Sequence, residues 1–94
     1  MAEALLKEAD EFFQEDMWPE AVDKFSQLMR VSDKYSEHPL VRLNFGMCLY
    51  ENEEYERAEE SYEKAGALFL QQDTVNQEFA QRAFFNLGQC QFKL

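Results

Sequence analysis

Between Leu40 and Ala65 the chain carries two helical patterns separated by a short polar break. The first, Leu40 to Tyr50, is apolar on nearly every side. An isolated surface helix cannot carry that composition, so this one must be covered from more than one direction. The second is one-sided: Tyr55, Ala58, Tyr62, Ala65 and Phe69 recur at spacings of three and four with charged residues between them, the period of an amphipathic helix. Together they predict an antiparallel helical hairpin. Gly46 and Ala58 are small where its helices must approach, and Tyr55 and Tyr62 fill the space around them.

Partial copies of this hairpin lie on both sides. From Ala2 to Glu15, Leu5, Ala9 and Phe12 share one helical face while Leu6, Asp10 and Phe13 share the adjacent one. Ala9 takes the place of Gly46, and Trp18, Ala21, Phe25 and Leu28 match Tyr55, Ala58, Tyr62 and Ala65 at a spacing of 37 residues. A tight break at Glu15-Asp16-Met17 separates the two helices of this copy. Pro19 suits a first helical turn, and Glu20 is placed to pair with Lys24. Ser32 to His38 reads as a polar connection, with Pro39 at the next helix start. Tyr55 to Gln71 forms a fourth helix, whose Gly66 marks close packing or a bend because glycine costs about 1 kcal/mol in a helix interior.

Thr74 with Gln77 has the form of a capping box, which opens a fifth helix running to the end. Its Phe84, Leu87-Gly88 and Gln91 repeat the first half of the central hairpin at a spacing of 42 residues. The expectation is a single all-α domain of two hairpins plus one helix, about five helices. The copies cover about 2–33, 39–71 and, as a half copy, 74–94.

The order of a bulky apolar residue followed by Gly (Phe45-Gly46), an aromatic (Tyr55), Ala (Ala58) and an aromatic (Tyr62) resembles the tetratricopeptide repeat. Any antiparallel helical hairpin is the alternative. Spacings of 37 and 42, with VRLNFG and AFFNLG, exceed the roughly 34 of the standard repeat. They resemble the longer-repeat branch seen in kinesin light chain and in LGN-type cell-polarity scaffolds. The resemblance implies a right-handed superhelix whose first helices line a concave groove for extended peptides or helices. Because an apolar helix without a polar cap precedes Leu94, a fragment of a longer array, or a protomer that pairs through this end, is expected.

Composition narrows the function classes. At 46% hydrophobic and 15% aromatic residues, with three Gly and two Pro, the chain of 94 residues reads as folded and helical. Its net charge of −10 opposes binding to nucleic acid or anionic membranes and favours neutral or basic partners. No apolar run reaches the roughly 18 to 20 residues of a membrane span, and MAEALLKEADEFF carries acids where a secretory signal carries bases, so a cytoplasmic setting is expected. Cys48 and Cys90 each follow a Gly by two residues, which places them as equivalent small core fillers rather than a bridge.

The residues that could carry chemistry are few. One His, His38 in a loop, and two dispersed Cys offer neither a catalytic constellation nor a metal set, so no enzyme, cofactor or metal is expected. Glutamates between Glu51 and Glu63 interleave with the apolar face, and two precede Arg57 and Lys64 by four residues, so they read as a solvated outer face. Asn52 to Glu63 contains no Gly, which removes a calcium loop.

The groove that the resemblance implies would be lined by Leu6, Asp10 and Phe13 on the first copy and by Leu43, Asn44, Met47 and Tyr50 on the second. On the third copy it takes Arg82, Phe85, Asn86, Gln89 and Phe92. That face is apolar with a few amides, suited to anchoring side chains while Asn bonds a partner's backbone; packing against a further helix would use the same residues. The family's carboxylate clamp for chaperone tails finds Leu6, Asp10, Asn44, Arg82 and Asn86 at its places. Only Asn44 and Arg82 suit it, and Asp10 would repel a carboxylate.

The expected function is a protein-interaction module or adaptor holding an apolar, neutral or basic segment of a partner. A peptide-sensing regulatory domain of a larger protein and a secretion-type chaperone are the alternatives. A homodimer through the last helix is also expected, since Phe84, Leu87 and Phe92 lack a following partner.

Overall fold

In a computed structural model, which describes residues 1–71 and 77–94, the chain is all-α. Its helices are α1 (Ala2–Gln14), α2 (Trp18–Val31), α3 (Asp33–Ser36), α4 (Pro39–Glu51), α5 (Tyr55–Gln71) and α6 (Gln77–Lys93). The capping box expected at Thr74 and Gln77 lies outside the described residues. The sixth helix is α3, a single turn inside the segment read as a connection. Ser32 starts it by accepting the Tyr35 amide at 3.3 Å, and His38 caps α4 by accepting the Val41 amide at Nδ1.

Each helix packs chiefly on its neighbours in sequence, α1 on α2, α2 on α4, α4 on α5 and α5 on α6. The two complete hairpins are alike residue by residue. Ala21 and Ala58, Phe25 and Tyr62, and Leu28 and Ala65 are all buried. Their turns match as well: Asp16 and Glu53, 37 residues apart, both have left-handed backbones at φ 58° and 62°. In the first turn the Met17 amide donates to the Phe12 carbonyl and the Asp16 amide to that of Phe13; in the second, Glu54 donates to Leu49 and Glu53 to Tyr50. This is the glycine-type helix ending built without glycine. A left-handed residue with a Cβ costs about 1–2 kcal/mol, part of which glycine gives back by being freer when unfolded. Glu53→Gly should therefore stabilise the domain by up to about 1 kcal/mol, read from urea midpoints; a loss of stability would contradict this account of the turn.

Gly46 is where the central hairpin closes. A Cβ there would lie 2.7 Å from two carbons of the Tyr62 ring, and Tyr62 is only 2% exposed. Gly66 plays the same part under Phe84, whose ring tip would be 2.6 Å away, so close packing rather than a bend explains it. Phe84 thus packs back on α5, the preceding helix, while remaining 40% exposed. At Gly88, the counterpart of Gly46, an added Cβ would meet nothing within 4 Å among the described residues.

The ion pairs run between helices more than along them. Lys24 pairs with Glu8 of α1 at 3.3 Å rather than with Glu20, and Lys64 with Glu37 at 2.9 Å rather than with the glutamate four residues before it. Arg57 pairs with Glu54 at 2.8 Å, three residues earlier. Cys48 and Cys90 are buried and free.

Partial burial alone would raise the Glu54 carboxyl, but hydrogen bonds from Asn52 and Arg57, together with the Arg57 charge, hold it below the usual 4.5. A lowered folded value means stability present above 4.5 and lost as pH falls through the folded value. Wild type should therefore lose stability more steeply than Glu54→Gln as the pH is lowered from 5 towards 3, measured by thermal melts in a pH series; parallel curves would show that the pair contributes nothing.

Candidate interaction clefts

Helical faces on α1, α4 and α6 carry the positions expected to bind, and the helices divide them among two clefts and an open patch. The first cleft, about 190 Å³, lies where α1 meets the start of α4 and takes Leu6, Asp10 and Asn44, with Tyr35 and His38 beside them. Asp10 is exposed by area, yet its carboxyl is pushed above the usual range by partial desolvation on this inner side. Cys48, wholly buried, is pushed up to about 12 by burial and by the Asp10 charge. A thiol held there stays protonated and is no nucleophile.

The second cleft, about 360 Å³, is built by four helices: Trp18 from α2, Met47, Tyr50 and Glu51 from α4, Tyr62 from α5, and Asn86 and Gln89 from α6. Its aromatic walls are fixed from behind. Trp18 meets Phe13 edge-on at 5.8 Å, Tyr50 meets Tyr55 edge-on at 5.3 Å, and Tyr62 is seated on Gly46. Burial, followed by the neighbouring Cys90, Glu51, Cys48 and Tyr50, raises the Tyr62 phenol, so it stays a neutral hydroxyl. The result is an apolar floor, two amides and one carboxylate, a set that can seat an apolar side chain, bond a backbone and attract a cation. A wider depression of about 400 Å³ runs along α1 alone; its lining belongs to one helix, so it lacks facing walls to hold a ligand.

Of the twelve expected groove residues, Met47, Tyr50, Asn86 and Gln89 share the second cleft, and Leu6, Asp10 and Asn44 share the first. The other five do something else. Leu43 is 2% exposed and belongs to the core. Phe13 braces Trp18, and Arg82 lies over the Phe79 ring at 5.5 Å. Phe85 and Phe92, at 68% and 90% exposure, stand on an open face of α6 rather than in either cleft. Trp18, Glu51 and Tyr62 were not expected. Glu51 follows Tyr50 at the end of the same helix, so continuing the α4 face by one residue would have found it.

Glu59, expected on a solvated outer face, is half-buried. Burial and then the Glu59 charge raise the Cys90 thiol, which places Glu59 toward α6. Among the described residues no group of three or more His, Cys, Asp or Glu could hold a metal, and no helix is long and apolar enough to cross a membrane.

Comparison of the chain with protein-family models, with curated proteins and with solved structures gives no match.

Proposed function

We propose that this chain is a tetratricopeptide-type, non-enzymatic interaction module that holds an apolar side chain of a partner, flanked by a basic residue, in the cleft between α4 and α6. The observation that carries the reading is the second cleft itself. Met47, Tyr50, Trp18 and Tyr62 form an anchor site, Asn86 and Gln89 offer backbone hydrogen bonds, and Glu51 stands at its edge. Aromatic and Met surfaces of this kind supply much of the energy of peptide recognition, while amides fix register. The 37-residue repetition of both packing and turn geometry supports the repeat-type architecture.

A net charge of −10 steers basic or neutral segments towards the chain and acidic ones, nucleic acids and anionic membranes away. Two free buried thiols suit a reducing, cytoplasmic setting.

A random-peptide library selected on the wild-type chain tests this. Enriched peptides should share an apolar or aromatic anchor next to Lys or Arg, and should be lost on Gln89→Arg, which fills the cleft from an exposed position and opposes the cation. Enrichment of acidic peptides, or binding indifferent to Gln89→Arg, would place recognition elsewhere.

A further inference from the structure

The chain's charge is divided unevenly. All 19 acidic residues lie at or before Glu78, and the only charged side chains after it are those of Arg82 and Lys93. Helix α6 is therefore acid-poor in a strongly acidic chain. On it, Phe85, Gly88 and Phe92, at spacings of three and four, share one face. Phe85 is 68% and Phe92 90% exposed, and a Cβ at Gly88 would have nothing within 4 Å among the described residues.

The same chain shows what such a glycine accepts. At Gly46 an aromatic ring from the neighbouring helix sits where a Cβ would be, at 2.7 Å. Gly88 presents the same saddle without a ring. Three residues away on the same stripe stands Phe85, a ring without a saddle.

We propose that this face binds a second copy of the chain. The two α6 helices run antiparallel about a twofold axis, so that each Phe85 ring seats over the partner's Gly88 and each saddle is filled once. A stripe that carries both knob and hole is complementary to itself, which is what a twofold contact requires. Charge selects the same occupant. Joining through α6 brings together two helices that carry a single carboxylate side chain each, Glu78, and leaves the acid-rich remainder of the two copies farther apart. Antiparallel helices also oppose their dipoles. A contact of one helix per copy is small, so the dimer forms and dissociates with concentration rather than being permanent. This contact adjoins the cleft of the proposed function at Gln89, four residues after Phe85, but Phe85, Gly88 and Phe92 themselves do not line that cleft.

Sedimentation equilibrium of the 94-residue chain over about a hundredfold range of concentration tests it. The mass should rise from 11.2 kDa towards twice that value. Added salt should strengthen the dimer, because it screens the repulsion of the two bodies. Gly88→Ala is the decisive variant. It replaces a helical glycine with open space around it, so the melting temperature of dilute protein should rise while the dimer weakens at least about tenfold, since the saddle is filled from within. Phe85→Gln should weaken the dimer by a similar factor. A monomeric mass at every concentration would overturn the proposal. So would a dimer that Gly88→Ala and Phe85→Gln leave unchanged, or one that salt dissolves, since either would place the contact on another surface.

Discussion

Gly46→Leu should destabilise the domain by about 1 to 3 kcal/mol or more, whereas Gly88→Ala should stabilise it by about 1 kcal/mol, although the two glycines occupy the same place in the repeated pattern. The difference lies in what faces them. Any Cβ at Gly46 falls 2.7 Å from two carbons of the Tyr62 ring, and that ring cannot retreat, because Tyr62 is 2% exposed and wedged between buried helices. The larger side chain must push α4 and α5 apart.

Alanine at Gly46 would be a weaker test, since its better helix propensity returns about 1 kcal/mol against the overpacking. Gly66→Ala falls between the two. The atom it meets is the tip of Phe84, whose ring is 40% exposed and can swing outwards, so clash and propensity should nearly cancel. In a domain of this size 1 kcal/mol moves the melting temperature by roughly 4 to 8 °C, so calorimetry resolves all three variants. Equal effects at Gly46 and Gly88 would mean that the hairpin does not close on the Tyr62 ring.

That contrast marks how far the fold is legible in the amino-acid pattern. Periodicity locates α5 at Tyr55–Gln71, because its apolar face is continuous and its ends are polar. Both interhelical breaks are likewise visible, and the buried small residues Ala9, Ala21, Ala58 and Cys48 sit where the repetition places them. The one-turn helix α3 is not legible, since four residues leave no period to detect. Nor are the Glu8–Lys24 and Glu37–Lys64 pairs, because spacing rules for charges see only one helix at a time.

The clefts show the same limit. Knowing that α1, α4 and α6 are equivalent supplies seven of the lining residues. Trp18 and Tyr62 come from α2 and α5, and whether a ring on a second helix reaches the cleft depends on the rotation of one helix against another. Leu43 and Phe85 make the point in reverse. They are equivalent at a spacing of 42 residues, yet Leu43 is 2% exposed and Phe85 68%.

The largest effect on binding should come from Tyr50, a half-buried ring in the wall of the second cleft. With a peptide selected on the wild-type chain, Tyr50→Ala should cost about 2 kcal/mol or more, roughly a thirtyfold loss of affinity, because truncating a buried aromatic anchor removes its contact area and lets water reach the floor. Tyr50→Phe keeps the ring and its edge-on contact with Tyr55, so it should retain most of the affinity and separate lost recognition from lost packing.

Glu51→Gln should reduce the preference for a basic flanking residue while leaving the apolar anchor intact, a smaller effect that fades with salt. Glu63, exposed on α5 away from the cleft, should not matter. Phe85→Ala should leave affinity for the peptide unchanged in dilute protein, since its ring stands on the open face of α6 rather than among the cleft residues. Titration calorimetry on the wild type and these five variants orders the effects directly. If Phe85→Ala or Glu63→Ala cost more than Tyr50→Ala, the partner would be held on the outer surfaces of α6 or α5, and the cleft would be a by-product of helix packing.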